Sequence, residues 1–245
     1  MATIVLVPGF WFGAWAWEEV TRDLREAGHD VHPVTLTGLA DRAAEATAEV
    51  GLATHIADIV HVIEDGDLRE VVLVGHSGAN MPVTGAADRI PERLARIVYV
   101  DSGPMPDGLA GIDFHEPQAR EQLRRQVAEE GEGWSIPVPA FDPDADPVNL
   151  AELSEAHLTR MRALGTPQPF GTAADPLDRP AVLPSTPRSV IMSTFTPEQV
   201  RMVAGTGNPV FELMAGMDMH HLPTGHWPMF SRPRELAAVL GEIAG

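Results

Sequence analysis

Short apolar runs alternate with stretches of helical periodicity through the first hundred residues. Buried strands are predicted where four apolar runs occur, at 4–7, 31–36, 71–74 and 97–100. Between these runs, apolar residues recur at helical spacing around Trp17, then around Ile56, and again after Ser77. Alternation of strand and helix with short connections predicts an α/β fold with a mainly parallel sheet flanked by helices.

The alternation stops after the fourth strand. Residues 103–187 are rich in proline and charge, with two helical stretches at 116–130 and 150–164. Their aromatic residues favour a packed segment over the alternative, a disordered linker. Strands are predicted again at 189–193 and 217–222, and a last helix at 232–243. We therefore expect one core, formed by 1–102 and 188–245, with 103–187 inserted as a cap.

Composition narrows the chemistry. The formal net charge of −18 disfavours nucleic acid and anionic membranes as partners. The chain has no cysteine, which excludes disulfides and thiolate chemistry, and all 17 basic residues are arginine, which excludes a lysine Schiff base. The apolar stretch 4–17 follows no basic residue and is too short to span a bilayer. We expect a cytoplasmic protein that acts on a small molecule; a homodimer is possible, but the sequence does not fix the oligomeric state.

The pentapeptide Gly75-His76-Ser77-Gly78-Ala79 carries the strongest chemical signal. It follows a buried strand and precedes a helix, so the pattern predicts a tight turn that exposes the Ser77 hydroxyl above the sheet. Small residues beside the serine allow strand and helix to approach closely. Ser77 is therefore the predicted nucleophile, although a chance match in a turn is the simpler interpretation of such a motif alone.

A serine hydroxyl needs a base, and His226 is the predicted one. It lies in a loop after the last strand, between Gly225 and Trp227. Two other histidines, His220 and His221, compete for the role but fall within the predicted strand.

Two carboxylates are candidates for orienting the histidine. Asp101 ends the strand that follows the nucleophile strand, so its side chain could reach His226. Glu198 lies in a later loop, where it also suits the start of a helix. Asp101 is the preferred acid, and its simpler role would be to cap a turn.

Backbone amides of Gly78 and Phe10 are the predicted oxyanion hole, with Trp11 as the next candidate. Gly78 follows the nucleophile, and Phe10 lies in the loop after the first strand. Most of the aromatic residues around this loop are expected in the core. Trp11, Trp134 and Trp227 are instead expected to line a substrate pocket.

Three segments resemble the α/β-hydrolases, and among them the group of plant methyl-ester esterases and hydroxynitrile lyases. These segments are PGFWFGAWAW at 8–17, LVGHS at 73–77 and Gly225-His226. The resemblance implies a Ser–His–acid triad, an oxyanion hole, and no cofactor or metal. It also implies a serine-dependent hydrolase of small carboxylic esters that works through an acyl-enzyme.

The chain departs from that group at three places. It has Pro8-Gly9 where the group has His-Gly, and no aspartate follows the strand near Ser193. The cyanogenic lyases have a threonine and a lysine where this chain has Gly9 and Trp227, which argues against cyanohydrin cleavage. Lactonase, lyase or cyclase chemistry, or ligand binding without catalysis, stay open as alternatives.

Overall fold

A computed structural model describes residues 1–245 and contains one six-stranded sheet in which every neighbouring pair is parallel. The spatial order is β2-β1-β3-β4-β7-β8. The strands are β1 (Thr3–Val7), β2 (Asp30–Pro33), β3 (Val71–His76), β4 (Leu94–Val100), β7 (Arg188–Met192) and β8 (Asp218–His221). A separate antiparallel pair is formed by β5 (Ser135–Ile136) and β6 (Gln168–Pro169).

Helices cover both faces of the sheet. The α-helices are α1 (Glu18–Glu26), α2 (Leu52–Asp65), α3 (Asn80–Arg89), α4 (Pro117–Glu130), α5 (Glu155–Leu164), α6 (Gly171–Ala174), α7 (Pro197–Ala204), α8 (Pro209–Ala215), α9 (Pro228–Ser231) and α10 (Pro233–Ala244). Short 3-10 turns precede α1, α3 and β4, and two more lie at Ala40–Glu45 and Gly111–Phe114. None of these helices is long and apolar enough to cross a bilayer.

Two apolar cores lie on opposite faces of the sheet because side chains alternate along each strand. In β1, Val5 and Val7 face one core with the apolar sides of α2, α3, α7 and α8. Ile4 and Leu6 face the other core with α1 and α10. Both faces of the central strands are covered, which explains their unbroken apolar sequence.

The α/β class and the mainly parallel sheet are confirmed, with differences in the bounds of two elements and in elements that were not predicted. The strand predicted at 31–36 ends at Pro33 in β2, an edge strand that pairs only with β1. The helix predicted at 150–164 begins at Glu155, because Ser154 Oγ accepts a hydrogen bond from the amide of His157 and caps it there. The sequence pattern did not predict α6, α8, α9 or the pair of β5 and β6.

Residues 101–187 contribute no strand to the main sheet, and one buried ion pair holds the end of this segment to the core. Arg179 donates to both carboxylate oxygens of Asp88 on α3, at 2.6 and 2.8 Å. The two side chains are only 3% and 4% exposed. Arg179 also donates to the carbonyl of Met105 at 3.0 Å. Because both charges are out of water, each depends on the other for its stabilisation.

Replacing Asp88 with asparagine should lower the free energy of unfolding by about 3 kcal/mol, because it leaves the Arg179 guanidinium buried without a counter-charge. Arg69→Gln is the control, since Arg69 and its partner Asp67 are 63% and 74% exposed, and it should cost less than about 1 kcal/mol. Urea unfolding monitored by circular dichroism measures both. Equal effects of the two variants would contradict the prediction.

Candidate active site

Ser77 lies at the turn between β3 and the helical segment that leads into α3. Its φ of 51° lies in the left-handed region, which non-glycine residues rarely adopt. Strand and helix approach so closely here that a Cβ on Gly75 would lie 2.7 Å from a methyl group of Val83. The glycine in the motif is therefore required by packing, and the strained turn presents the serine hydroxyl at the carboxyl edge of the sheet.

His226 contacts both Ser77 and Asp101. The carboxylate can only accept, so Nδ1–H of His226 donates to Asp101 Oδ2 at 2.6 Å. The other ring nitrogen, Nε2, then accepts from the Ser77 hydroxyl at 2.7 Å. These three side chains come from parts of the chain up to 149 residues apart. The three side chains are thus joined in one hydrogen-bonded line, an arrangement that suits a nucleophile, a base and an orienting acid.

Asp101 follows β4 and is held in a fixed position. Its φ is 45° and its side chain is 1% exposed. Oδ1 accepts from the amides of Ser193 and Thr194, both at 2.9 Å, and Oδ2 accepts from the Thr194 hydroxyl at 2.9 Å. Burial acts to raise the pKa of Asp101, but the hydrogen bonds from His226, Thr194 and Ser193 outweigh it and hold the pKa below its usual value.

The rival candidates lie elsewhere. Glu198 is exposed in the first turn of α7, and it makes no contact with His226. His220 and His221 belong to β8, as expected, and neither lines the cavity beside Ser77. The loop after β7, which contains no aspartate, supports Asp101 instead. Its Thr194 donates to Asp101 through both its amide and its hydroxyl.

A second histidine, His76, packs against the first. It is buried, and its ring centroid lies 4.8 Å from that of His226. Nε2–H of His76 donates to the backbone carbonyl of His226 at 2.7 Å, while Nδ1 is buried beside Gly9 without a partner. Burial, together with the charge of His226, lowers the pKa of His76 to about 3. His76 therefore stays neutral and supports the loop of His226.

In the loop after β1, the backbone amide of Trp11 has a hydrogen-bond partner and that of Phe10 has none. Trp11, at φ 69°, donates its amide to the side-chain oxygen of Gln168 at 3.0 Å. The amide of Phe10 makes no hydrogen bond within the protein. The ring of Phe10 covers Gly78, where any Cβ would overlap it. Phe10 and Gly78 thus lie side by side next to Ser77, whereas the amide of Trp11 is already used.

A cavity of about 700 Å³ opens above Ser77, and 17 of its 31 lining residues are hydrophobic. Trp11 and Trp227 line it, and the ring of Trp227 lies edge-on to that of His226 at 5.0 Å. The expectation for Trp134 is wrong. It lies in the turn between α4 and β5, where its carbonyl accepts from Phe170, and it does not reach the cavity.

The segment between α4 and α5 holds the histidine loop from the other side. The amide of His226 donates to the carbonyl of Asn149 at 2.7 Å. A Cβ on Gly225 would overlap the backbone of Asn149 and Ala151. Both polar groups of the His226 main chain are therefore held: the amide by the carbonyl of Asn149, and the carbonyl by the side chain of His76.

Sequence reasoning missed the residues that support the reacting groups. Gln168, Asn149 and Thr194 act through contacts that join distant parts of the chain, and no local pattern marks them. His76 could have been noticed, because a histidine inside a buried apolar strand needs a partner. No three histidine, aspartate or glutamate side chains converge in a way that could hold a metal ion.

The chain is similar in sequence to known esterases. The chain is 44% identical over 102 residues to the carbendazim hydrolyzing esterase of Nocardioides sp. (strain SG-4G), and the match covers 42% of each chain, so it spans under half of that relative. It is 27% identical over 257 residues to methyl jasmonate esterase 1 of Vitis vinifera, covering 98% of this chain and 95% of the relative.

The fold is shared with solved structures. An extracellular alpha/beta-hydrolase from a Paenibacillus species, described as homologous to tobacco salicylic acid binding protein 2, aligns with a TM-score of 0.82 at 22% identity. That alignment covers 100% of this chain and 99% of the other. The model of the alpha/beta hydrolase family matches residues 4–239. The chain therefore belongs to the alpha/beta hydrolase family.

Proposed function

We propose that the protein hydrolyses small-molecule carboxylic esters through an acyl-enzyme on Ser77. The observation that carries the proposal is the line of hydrogen bonds from Asp101 to His226 to Ser77, at 2.6 and 2.7 Å. The two relatives above bear the names of esterases. A cavity with mostly hydrophobic lining beside the serine suits an ester of modest size.

Acylation uses the three side chains in distinct roles. Ser77 Oγ attacks the ester carbonyl while Nε2 of His226 takes its proton. Asp101 holds the imidazole in the tautomer whose Nε2 is free to accept, and its charge stabilises the imidazolium that forms. His226 then gives the proton to the departing alkoxide, and the alcohol leaves. Water, activated by His226, attacks the acyl group and releases the carboxylic acid and Ser77.

The amides of Phe10 and Gly78 are proposed to stabilise the oxyanion. Gly78 follows Ser77 at the start of a helical segment, where amides lack intrahelical partners. The amide of Phe10 is free, whereas that of Trp11 is engaged by Gln168. Two donors fixed before the reaction need little reorganisation when charge develops.

We also propose that 103–187 forms the cap of a core made of 1–102 and 188–245. Support comes from the cavity wall, because both parts contribute to it. The segment supplies residues such as Ile112, Phe141 and Leu150, while the core supplies Ser77, Met192 and Trp227. Substrate preference is then a property of the segment that covers the sheet. The cytoplasmic location, the absence of a cofactor, and a homodimer stay predictions from the sequence.

The alternatives use the same fold and differ in substrate or in reaction. A lactone is a cyclic ester, and the same acylation would open its ring. Lyase or cyclase chemistry and ligand binding without turnover receive no support from the names of the relatives. Turnover of a chromogenic short-chain ester by wild type, with its loss in Ser77→Ala, tests the proposal. Equal turnover by both proteins would contradict it.

Asp101→Asn should lower kcat on a short-chain ester by about 10⁴-fold, because the amide favours the wrong tautomer of His226. Glu198→Gln is the matched control, since it removes a carboxylate that is exposed and remote from His226, and it should leave kcat within about twofold. Steady-state kinetics under one set of conditions measures both. Loss of activity in Glu198→Gln with retention in Asp101→Asn would overturn the assignment.

Gly78→Ala should reduce kcat by about 10- to 100-fold while KM changes little, because the new methyl group displaces the Phe10 ring and with it a donor of the oxyanion hole. Removing the ring in Gly78→Ala/Phe10→Ala should restore part of the loss, since the overlap is then relieved. If the double variant is no more active than Gly78→Ala, the overlap is not the cause.

The neutral state of His76 predicts how stability depends on pH. Because its pKa falls to about 3 in the fold, and an unfolded histidine titrates near 6.5, the unfolded chain binds one more proton between these values. Stability from His76 is present above about pH 6.5 and is lost as pH falls. His76→Gln should therefore flatten the decline between about pH 5.5 and 4.5 by up to roughly 1.4 kcal/mol per pH unit.

Urea unfolding across that pH range measures the slope for each protein. His221→Gln is the control, because His221 is exposed on the edge strand, and its slope should match that of wild type. A His76→Gln slope equal to that of wild type would show that His76 is charged in the folded protein.

A further inference from the structure

The wall of the cavity contains aspartate side chains but no arginine. None of the 17 arginines lines it, and the chain has no lysine. Asp142 and Asp146 line the cavity in addition to Asp101. The remaining titratable groups in the wall are the histidines His76, His115 and His226. The wall therefore contains carboxylates but no arginine or lysine to offset them.

The side-chain amides in the wall are already engaged within the protein. Asn80 donates its side-chain amide to the carbonyl of Gly103 at 2.8 Å. Asn149 donates to both oxygens of Asp146 at 3.0 Å. A substrate carboxylate would thus lose its water without gaining a cation or an unused side-chain amide, which is costly.

Arg162 lies behind this wall, at the backbone of two lining residues, and its donors are engaged there. Arg162 donates to the carbonyls of Ala140 and Phe141, at 2.8 and 2.7 Å, and pairs with Glu155 at 2.9 Å. Its guanidinium is therefore committed to the backbone and to a carboxylate, and it does not line the cavity.

Aromatic residues line the cavity together with the two aspartates. Phe141 precedes Asp142, and its ring lies edge-on to those of Trp11 and Trp227, at 6.1 and 5.5 Å. All of these side chains line the cavity. Aromatic faces attract cations, and carboxylates nearby add to that attraction. Together they suit a substituent that carries a positive nitrogen.

We propose that this cavity selects esters by charge: it accepts neutral esters, favours those with a cationic nitrogen, and disfavours those that carry a free carboxylate. Asp142 and Asp146 are the selecting residues. The proposal rests on the proposed ester hydrolysis at Ser77 and adds the substrate class.

The expected size of the effect follows from Coulomb's law. One aspartate about 8 Å from a substrate charge, at an effective dielectric constant between roughly 20 and 40, changes kcat/KM by about tenfold. The effect is opposite in sign for cation and anion. Salt should weaken it, because Asp142 is exposed to solvent.

Three p-nitrophenyl esters of similar acyl length provide the test: the neutral pentanoate, the monoester of glutaric acid as anion, and the trimethylammonio-butanoate as cation. Assays at about pH 8 keep ordinary histidines neutral. For wild type we expect kcat/KM to be highest for the cation and at least about tenfold lower for the anion than for the neutral ester.

Variants test whether the dependence of kcat/KM on substrate charge comes from the aspartates in the cavity wall or from the net charge of the protein. Asp142→Asn should bring the anionic and neutral esters closer by about tenfold, and Asp142→Arg should do so further. Asp144→Asn is the matched control: Asp144 is exposed in the same turn but does not line the cavity, and its three values should equal those of wild type. For Asp146→Asn, only the ratios of kcat/KM between the esters are compared. Asp146 also accepts from the side chain of Asn149, so its loss can change the absolute rates for all three.

Each outcome decides between two claims. If wild type hydrolyses all three esters alike, or if Asp144→Asn shifts the ratios as much as Asp142→Asn, selection by these aspartates is wrong and ester hydrolysis stands. If no ester of the series is hydrolysed, the proposed function itself fails. If kcat/KM of wild type falls from the cationic to the neutral to the anionic ester, and these differences shrink in Asp142→Asn, the result supports both charge selection and ester hydrolysis.

Discussion

The proposed chemistry depends on one imidazole held between a carboxylate and a hydroxyl. His226 can take a proton from Ser77 only if Nε2 is unprotonated and aimed at the hydroxyl, and the carboxylate of Asp101 enforces that state at Nδ1. Much of the surrounding structure serves this orientation. The backbone of His226 is held by Asn149 at its amide and by His76 at its carbonyl. The ring is therefore fixed both at its nitrogens and through its main chain.

The sheet supplies the frame for this arrangement. Trp11, Ser77 and Asp101 come after three adjacent strands, β1, β3 and β4, and all three adopt positive φ values. Such backbone is costly for residues other than glycine and persists only where the surroundings enforce it. Here the enforcing contacts are specific. Gln168 holds Trp11, the close approach of β3 and α3 sets the turn at Ser77, and Thr194 with Ser193 holds Asp101.

Local sequence patterns predict the parts of this molecule that depend on local physics. Continuous apolar runs mark the central strands because both their faces are buried, and the small residues around Ser77 mark a tight turn. The choice between Asp101 and Glu198 required the structure, because it depends on which loop lies beside His226. Trp134 is expected in the cavity because it falls in the predicted cap, but it is not among the residues that line the cavity. The contact of Asn149 with His226 and the place of Asp142 in the cavity wall were not predictable, because each joins parts of the chain that are distant in sequence.

The most direct measurement is the capture of the covalent intermediate. Protein mixed with a short-chain ester, quenched with acid within the first turnovers and digested, can be analysed by mass spectrometry for an acyl group. The account predicts an adduct on the peptide that contains Ser77, which disappears when His226 is replaced by alanine. Turnover of the ester with no adduct at Ser77, or with the acyl group on another residue, would contradict it.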